Sequence, residues 1–207
     1  MIGRFYSRFV FPYLADIALS MPQIASRRKS ALENAHGAIL EIGFGTGLNL
    51  PHYPPGVSKI VTVEPNDGMN RLARRRILES AIHVEPNIAV GELLPFGDAE
   101  FDSVVCTWTL CSVSDTAAVM SEASRVLKRG GKFFFLEHGL ADDPKTQKWQ
   151  NRLTPLNRIV ADGCHLNRDM PAIIQSGGLK IVRLEKSRMD NAPGIVGNIY
   201  MGVAEKV

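Results

Sequence analysis

The sequence has 207 residues, 45% of them hydrophobic and 22% charged, which is enough for one α/β domain and short for two. The net charge of +3 is too small to indicate a nucleic-acid-binding protein, and no apolar run reaches the length of about eighteen residues that a membrane span needs. The first residues lack the apolar stretch and cleavage site of a secretory signal. We therefore expect one cytoplasmic domain over residues 1–207.

Neither the cysteines nor the basic clusters of the sequence indicate a functional site. Cys106, Cys111 and Cys164 occur at spacings that match no zinc motif, so we expect reduced thiols, Cys106 in the core, and no metal site. The basic clusters at residues 27–29 and 74–76 are typical of solvated helix faces. No nucleic-acid partner is expected from them.

Apolar segments of strand length alternate with amphipathic segments of helix length. Strands are predicted at residues 39–42, 60–63, 82–84, 103–106, 132–137, 179–186 and 195–203, and helices at 65–78 and 115–127. This alternation is typical of βαβ units, which form a doubly wound α/β fold with helices on both faces of a mostly parallel sheet. Because only a short loop separates the last two strands, we expect the final strand to be antiparallel.

The first predicted strand runs into three alternate glycines, Gly43, Gly45 and Gly47, with the carboxylate of Glu41 two positions before the first. Glycines at the end of a buried parallel strand allow a sharp turn and bring backbone N–H groups close to a ligand. The pattern therefore predicts a site for a nucleotide-like cofactor.

The dinucleotide fingerprint fits this loop poorly, because its third glycine would fall at Leu48. A pyrophosphate would also face the like charge of Glu41. S-adenosylmethionine carries a sulfonium and an ammonium and has no phosphate, so it suits the loop better than NAD. A NAD-dependent oxidoreductase remains the alternative at this point.

A second acid, Glu64, ends the next predicted strand. An acid about 20 residues after the glycines accepts hydrogen bonds from ribose hydroxyls in nucleotide-binding folds. We therefore predict that Glu64 binds the ribose. The alternative is a solvated residue at a strand end.

The pattern Glu41-x-Gly43-x-Gly45-x-Gly47, followed by Glu64, resembles the first motifs of the class I S-adenosylmethionine-dependent methyltransferases. The resemblance implies a Rossmann-like, seven-stranded sheet. Ligands of such sheets contact the loops that follow the strands. The residues predicted to contact the cofactor are Glu41, Gly43, Gly45, Gly47, Asn49, Glu64, Pro65, Gly91, Glu92, Thr107 and Trp108.

The sequence departs from the family pattern in two places. Val90 stands where many members carry an acid near the adenine, so Glu92 or a backbone carbonyl would have to contact the adenine amine. Arg129 replaces the proline of a structural turn before the fifth strand. For Trp108 the alternative to a cofactor contact is core packing.

The segments 47–55, 105–113, 135–138 and 162–168 resemble the methyltransferase group that contains the alkyl thiol S-methyltransferases of animals and their bacterial relatives. This resemblance covers residues 38–170 and implies a small-molecule acceptor, for which a thiol is a candidate. The apolar anchor of the animal members is missing, so we expect no stable membrane insertion, and a monomer or homodimer. Alternatives are a lipid or quinone methyltransferase and a non-catalytic S-adenosylmethionine-binding module.

A thiol acceptor attacks as its anion, and a general base would help to form it. His138 and His165 are the predicted bases, because imidazole titrates nearest to neutral pH; the alternative is a structural histidine bonded to loop backbone. We also predict that residues 1–35 form a helical cap, with Tyr6 or Tyr13 closing the acceptor pocket, and that residues 147–160 form a second cap. The alternative is a helix that simply covers the sheet.

Overall fold

The computed structural model describes residues 2–190 and 192–207. Within these ranges, seven strands form one sheet. They are β1 (Ile39–Ile42), β2 (Lys59–Val63), β3 (His83–Asn87), β4 (Phe101–Thr107), β5 (Leu127–His138), β6 (Leu179–Arg188) and β7 (Asn198–Lys206). Their order is β3-β2-β1-β4-β5-β7-β6, with β1 to β5 parallel and β7 antiparallel to both of its neighbours. The predicted Rossmann-like α/β sheet with an antiparallel last strand is confirmed.

Seven α-helices accompany the sheet within the described residues. They are α1 (Ile2–Phe5), α2 (Phe11–Leu19), α3 (Pro22–Leu32), α4 (Asp67–Glu79), α5 (Thr116–Val126), α6 (Pro144–Val160) and α7 (Met170–Ser176). A π-helical segment, Tyr6–Val10, joins α1 to α2, and a 3-10 turn covers Leu50–His52. Side chains set the helix starts: Asn66 accepts backbone N–H bonds at the start of α4, and Asp115 does so for α5.

The first predicted strand has the bounds of β1, and the other six differ from the structure at one or both ends, the fifth beginning at Leu127 rather than at residue 132. Two of these differences have a clear cause. The third continues to Asn87, because its residues pair with β2 up to Val63. The last begins at Asn198, three residues later than predicted, because a turn in which the N–H of Val196 bonds to the carbonyl of Pro193 precedes it. Apolar residues in that turn extended the apparent strand pattern.

The core lies on both faces of the sheet. Consecutive phenylalanines of β5 alternate between the faces: Phe133 and Phe135 pack with α5 and α7, and Phe134 packs with residues of α3 and α4. Cys106 is fully buried in this core, as predicted. Helices on both faces leave the carboxyl ends of the parallel strands as the place where loops can form a site.

The N-terminal helices lie over these carboxyl ends. The N-terminal segment is hydrogen-bonded to the end of α6. The hydroxyl of Tyr6 donates to the carbonyl of Val160, with 2.6 Å between the oxygens, and Ser7 donates to the carboxylate of Asp162 at 2.7 Å. The N-terminal segment is therefore bonded to the end of α6 and to the loop that follows it. Among the described residues, no helix has both the length and the apolarity needed to cross a membrane.

Candidate functional site

A cavity of about 320 Å³ lies between the N-terminal helices and the carboxyl ends of β1, β2 and β4. This volume falls within the range of small-molecule sites. Eight of the predicted cofactor residues line it. They are Gly43, Gly45, Glu64, Pro65, Gly91, Glu92, Thr107 and Trp108. The structure therefore brings the loops after four strands together around one cavity.

The glycine loop passes close to the loop that follows β4. Gly43 has a φ of +73°, and a Cβ at that position would lie 2.1 Å from Oγ1 of Thr109. Both the backbone conformation and the close approach therefore exclude a larger residue. The N–H of Gly45 donates to Oε2 of Glu64 at 2.8 Å, so the loop and the end of β2 hold each other in place.

The carboxylate of Glu64 is held by backbone groups at the edge of the cavity. Its Oε1 accepts the N–H of Asn66 at 2.8 Å, and its Oε2 accepts that of Gly45. Burial raises the pKa of Glu64, and these two backbone bonds oppose the rise. Each carboxylate oxygen keeps a further acceptor position, so two are left for hydroxyl donors.

Three predicted contact residues do not line the cavity. Gly47 turns the chain with a φ of +80°, and its missing side chain leaves room for Phe44. Glu41 is 1% exposed, and its two oxygens accept bonds from Asn49 Nδ2 at 2.8 Å and from the hydroxyl of Tyr53 at 2.6 Å. Burial raises the pKa of Glu41 to about 7. Glu41 and Asn49 therefore support the site from beneath.

Arg28, which the sequence interpretation placed on a solvated helix face, is 4% exposed and lines the cavity. Its Nη1 donates to Asn49 Oδ1 at 2.7 Å and to Thr107 Oγ1 at 2.9 Å, while its buried Nε has no partner among the described residues. Burial lowers its pKa to about 10, so the side chain stays cationic at neutral pH. The interpretation was wrong for this residue. Arg28 lies four residues after Ile24 and four before Leu32, which are both apolar, so helical spacing places it on the buried face of α3. This spacing was the signal in the sequence that could have found it.

Trp108 forms part of the cavity wall in a strained backbone conformation, with a φ of +56°. Its indole Nε1 is buried without a partner in the part of the chain that the structure describes. The ring stacks on His138, with 5.9 Å between centroids. Positive φ at a bulky residue is typical of functional sites.

Neither predicted base lines the cavity. His138 is 5% exposed, and its Nε2 lies 3.0 Å from Sγ of Cys164. His165 bonds through Nδ1 to the carbonyl of Cys111 at 3.3 Å, and burial lowers its pKa. The structure therefore places neither imidazole where it would take a proton directly from a molecule in the cavity.

The N-terminal helices supply an apolar wall through Phe11, Ala15 and Leu19. The two tyrosines predicted to close the pocket do not line it, since Tyr6 bonds to the end of α6 and Tyr13 is 50% exposed. Phe11, Ala15 and Leu19 recur every fourth residue and share one face of α2, and Tyr13 lies on the opposite face.

Comparison with known proteins places the chain in a family. A family model described as a methyltransferase domain matches residues 40–135. A thiol S-methyltransferase of Rattus norvegicus is 34% identical over 192 residues, which cover 84% of this chain and 77% of the relative.

Solved structures show the same fold at lower identity. The YcgJ protein of Bacillus subtilis has a TM-score of 0.66 at 18% identity, covering 87% of this chain and 95% of its own. Geranyl diphosphate C-methyltransferase of Streptomyces coelicolor A3(2), solved with S-adenosyl-L-homocysteine, has a TM-score of 0.68 at 16% identity, covering 89% of this chain and 80% of its own. With the sequence relationship to the rat enzyme, these findings show that the chain belongs to the class I S-adenosylmethionine-dependent methyltransferases.

Proposed function

We propose that the chain transfers a methyl group from S-adenosylmethionine to a small thiol. The observation that carries the choice of acceptor is the apolar wall of Phe11, Ala15 and Leu19 over the cavity. An alkyl thiol presents an apolar body and a weakly polar S–H, so this wall buries it without leaving a strong donor or acceptor unpaired. The rat relative, named as a thiol S-methyltransferase, supports the same acceptor class.

The residues around the cavity suit the cofactor. The unpartnered Nε of Arg28 needs an acceptor, and the cofactor's carboxylate is one of opposite charge. Glu64 has acceptor positions left for the ribose hydroxyls. Glu92 accepts the N–H of Ser114 through Oε1, which leaves Oε2 for the adenine amine. Each end of the cofactor thus has a proposed partner.

S-adenosylmethionine, when bound, supplies an electrophilic methyl group on a sulfonium. The thiolate sulfur of the acceptor forms a bond to the methyl carbon as the carbon–sulfonium bond breaks, which gives a thioether and S-adenosylhomocysteine. A thiol as acidic as that of free cysteine, with a pKa of about 8.5, has lost its proton to water in a few per cent of the molecules at neutral pH. The chain's contribution is therefore to position the reactants and to exclude water under the N-terminal helices.

The acceptor is tested with compounds that share one carbon skeleton and differ in one atom. The purified chain is incubated with S-adenosylmethionine and a short alkyl thiol, alcohol or amine, and methylated products are measured by mass spectrometry. We expect the thioether, with formation of S-adenosylhomocysteine in step. Methylation of the amine or alcohol with the thiol unchanged would refute the thiol proposal and leave the methyltransferase assignment intact.

A second acceptor class, a lipid or quinone, is favoured by exposed apolar side chains on the N-terminal helices. Phe5 is 61% exposed and Ile17 is 72% exposed. Such side chains would contact an apolar acceptor or the micelle that carries it. Turnover of a prenylated hydroquinone in detergent micelles, measured beside the thiol at equal concentration, separates the two: faster turnover of the hydroquinone supports this second class.

A further inference from the structure

Two thiols and an imidazole from three separate segments meet behind the cavity wall. Cys111 follows β4, His138 ends β5, and Cys164 lies between α6 and α7. The sulfur atoms and one imidazole nitrogen all lie within 4.8 Å of one another, and His138 Nε2 is 3.0 Å from Cys164 Sγ. This cluster could not be predicted from the sequence, because the three residues lie far apart in the chain and form no short motif.

We propose that Cys111, His138 and Cys164 bind a zinc ion. Thiolate sulfur and imidazole nitrogen are the ligands that zinc prefers, and three protein ligands with one further position are typical of non-structural zinc sites. Bond lengths of about 2.3 Å for sulfur and 2.0 Å for nitrogen put ligand atoms of a tetrahedron about 3.5 to 3.8 Å apart. His138 Nε2 and Cys164 Sγ, at 3.0 Å, are closer than this, and no two of the three ligand atoms are more than 4.8 Å apart, so side-chain shifts of about 1 Å complete the site.

The backbone that carries the first thiol is held firmly. The buried carboxylate of Glu137 accepts the N–H groups of residues 109, 110 and 111, with the first two bonds at 2.7 and 2.8 Å. The N–H of His165 donates to the carbonyl of Cys111 at 2.7 Å. A rigid backbone of this kind keeps metal ligands in place before the metal binds.

The third segment is held in the same way. Asn157 of α6 donates through Nδ2 to the carbonyl of Cys164 at 2.9 Å. All three ligand segments are thus fixed by hydrogen bonds or by the sheet. The cluster is also close to the cavity, because Trp108 and Ser112 line the cavity and contact His138 and Cys111 respectively.

A disulfide between the two cysteines is the competing use of the same atoms. A disulfide would take the thiol of Cys164 away from His138 Nε2, its present partner. The other nitrogen of this buried ring, Nδ1, already has no partner among the described residues. Both ring nitrogens would then be buried and unpaired, which is costly. A metal ion keeps one nitrogen bonded, so the imidazole favours the metal.

Zinc content and cobalt spectra test the site without any measurement of methyl transfer, so the result is independent of the proposed acceptor. The full chain, purified under reducing conditions, is expected to hold close to one zinc per chain. After zinc is removed, Co²⁺ should give the thiolate-to-metal charge-transfer band and the visible bands of a tetrahedral site. Cys111→Ser and Cys164→Ser should each weaken Co²⁺ binding at least 100-fold.

The chain contains matched controls, namely its remaining cysteine and a neighbouring histidine. Cys106→Ala and His165→Ala should keep the cobalt bands of the wild-type protein. The proposal is overturned if the reduced wild-type chain binds neither metal, or if the charge-transfer band survives in both serine variants. A wild-type disulfide between Cys111 and Cys164, with no metal binding after reduction, also overturns it. If a variant fails to fold, the wild-type chain still gives a test: a chelator should abolish its cobalt bands, and added Co²⁺ should restore them.

Discussion

The carboxylate of Asp16 on α2 binds the guanidinium of Arg76 on α4, with 2.8 Å between Oδ1 and Nη1, and so ties the N-terminal helices to the sheet domain. Thr46 of the glycine loop donates to the same carboxylate. We predict that Asp16→Asn weakens docking of residues 11–19 by about 1 to 2 kcal/mol, since charged, partly buried bonds are lost. Amide hydrogen exchange of those residues should accelerate about 5- to 30-fold.

The control for Asp16 is an exposed ion pair on α4, the helix that carries Arg76. Glu79 pairs with Arg75 one turn away, with both side chains largely in solvent. Glu79→Gln should leave exchange in residues 11–19 unchanged. Equal exchange rates in Asp16→Asn and the wild-type chain would show that the apolar contacts alone hold α2.

Removing the charge of Glu64 should weaken cofactor binding. Glu64→Gln keeps one acceptor oxygen and loses one of the proposed charge-assisted bonds to the ribose, which contributes about 1.5 to 3 kcal/mol, so the dissociation constant for S-adenosylmethionine should rise about 10- to 150-fold. Isothermal calorimetry measures this directly. The exposed carboxylate of Glu85 at β3 provides the control, and Glu85→Gln should bind as the wild-type chain does. Wild-type affinity in Glu64→Gln would remove Glu64 from the binding site.

Arg28 and its neighbour Arg27 make a sharp comparison, because only Arg28 lines the cavity. Arg28→Met keeps the apolar length of the side chain but loses the cation, so we expect affinity for both S-adenosylmethionine and S-adenosylhomocysteine to fall about 10- to 100-fold. Arg27→Met should change neither. If decarboxylated S-adenosylmethionine loses as much affinity as the intact cofactor in Arg28→Met, then Arg28 does not bind the carboxylate.

Glu41 predicts a pH dependence of stability. Its folded-state pKa of about 7 exceeds the ordinary value of 4.5, so between these two values the folded chain holds a proton that the unfolded chain has lost. The free energy of unfolding should therefore fall as pH rises through this window, by up to about 3 kcal/mol. Urea unfolding at a series of pH values should show a steeper fall in the wild-type chain than in Glu41→Gln. Parallel curves for the two proteins would contradict the prediction, and Glu185→Gln, an exposed carboxyl, should follow the wild type.

Local patterns were enough to predict the sheet and the glycine loop. The alternation of apolar segments depends on burial of each strand, and Gly43, Gly45 and Glu64 follow strand ends in the chain itself. These residues contact residues that are close to them in sequence or that follow the adjacent strand. Positions of this kind can be predicted from one sequence.

Other parts of the site depend on packing between distant segments. Each basic cluster contains one arginine turned into the protein, Arg28 or Arg76, and a run of charges in the sequence does not tell which one. Whether Trp108 or His138 faces the cavity depends on the backbone turn after β4, where Trp108 takes a positive φ that its residue type does not predict.

The hydrogen bonds of Tyr6 and Ser7 span 154 and 155 residues of the chain. During synthesis, the N-terminal helices leave the ribosome long before Val160 and Asp162, the residues to which they bind, have been made. A nascent chain that ends before α6 can pair its first strands and form the bond between Asp16 and Arg76, but it lacks the partners of Tyr6 and Ser7. The cavity, which Asp162 also lines, is therefore completed late, after most of the chain has been made.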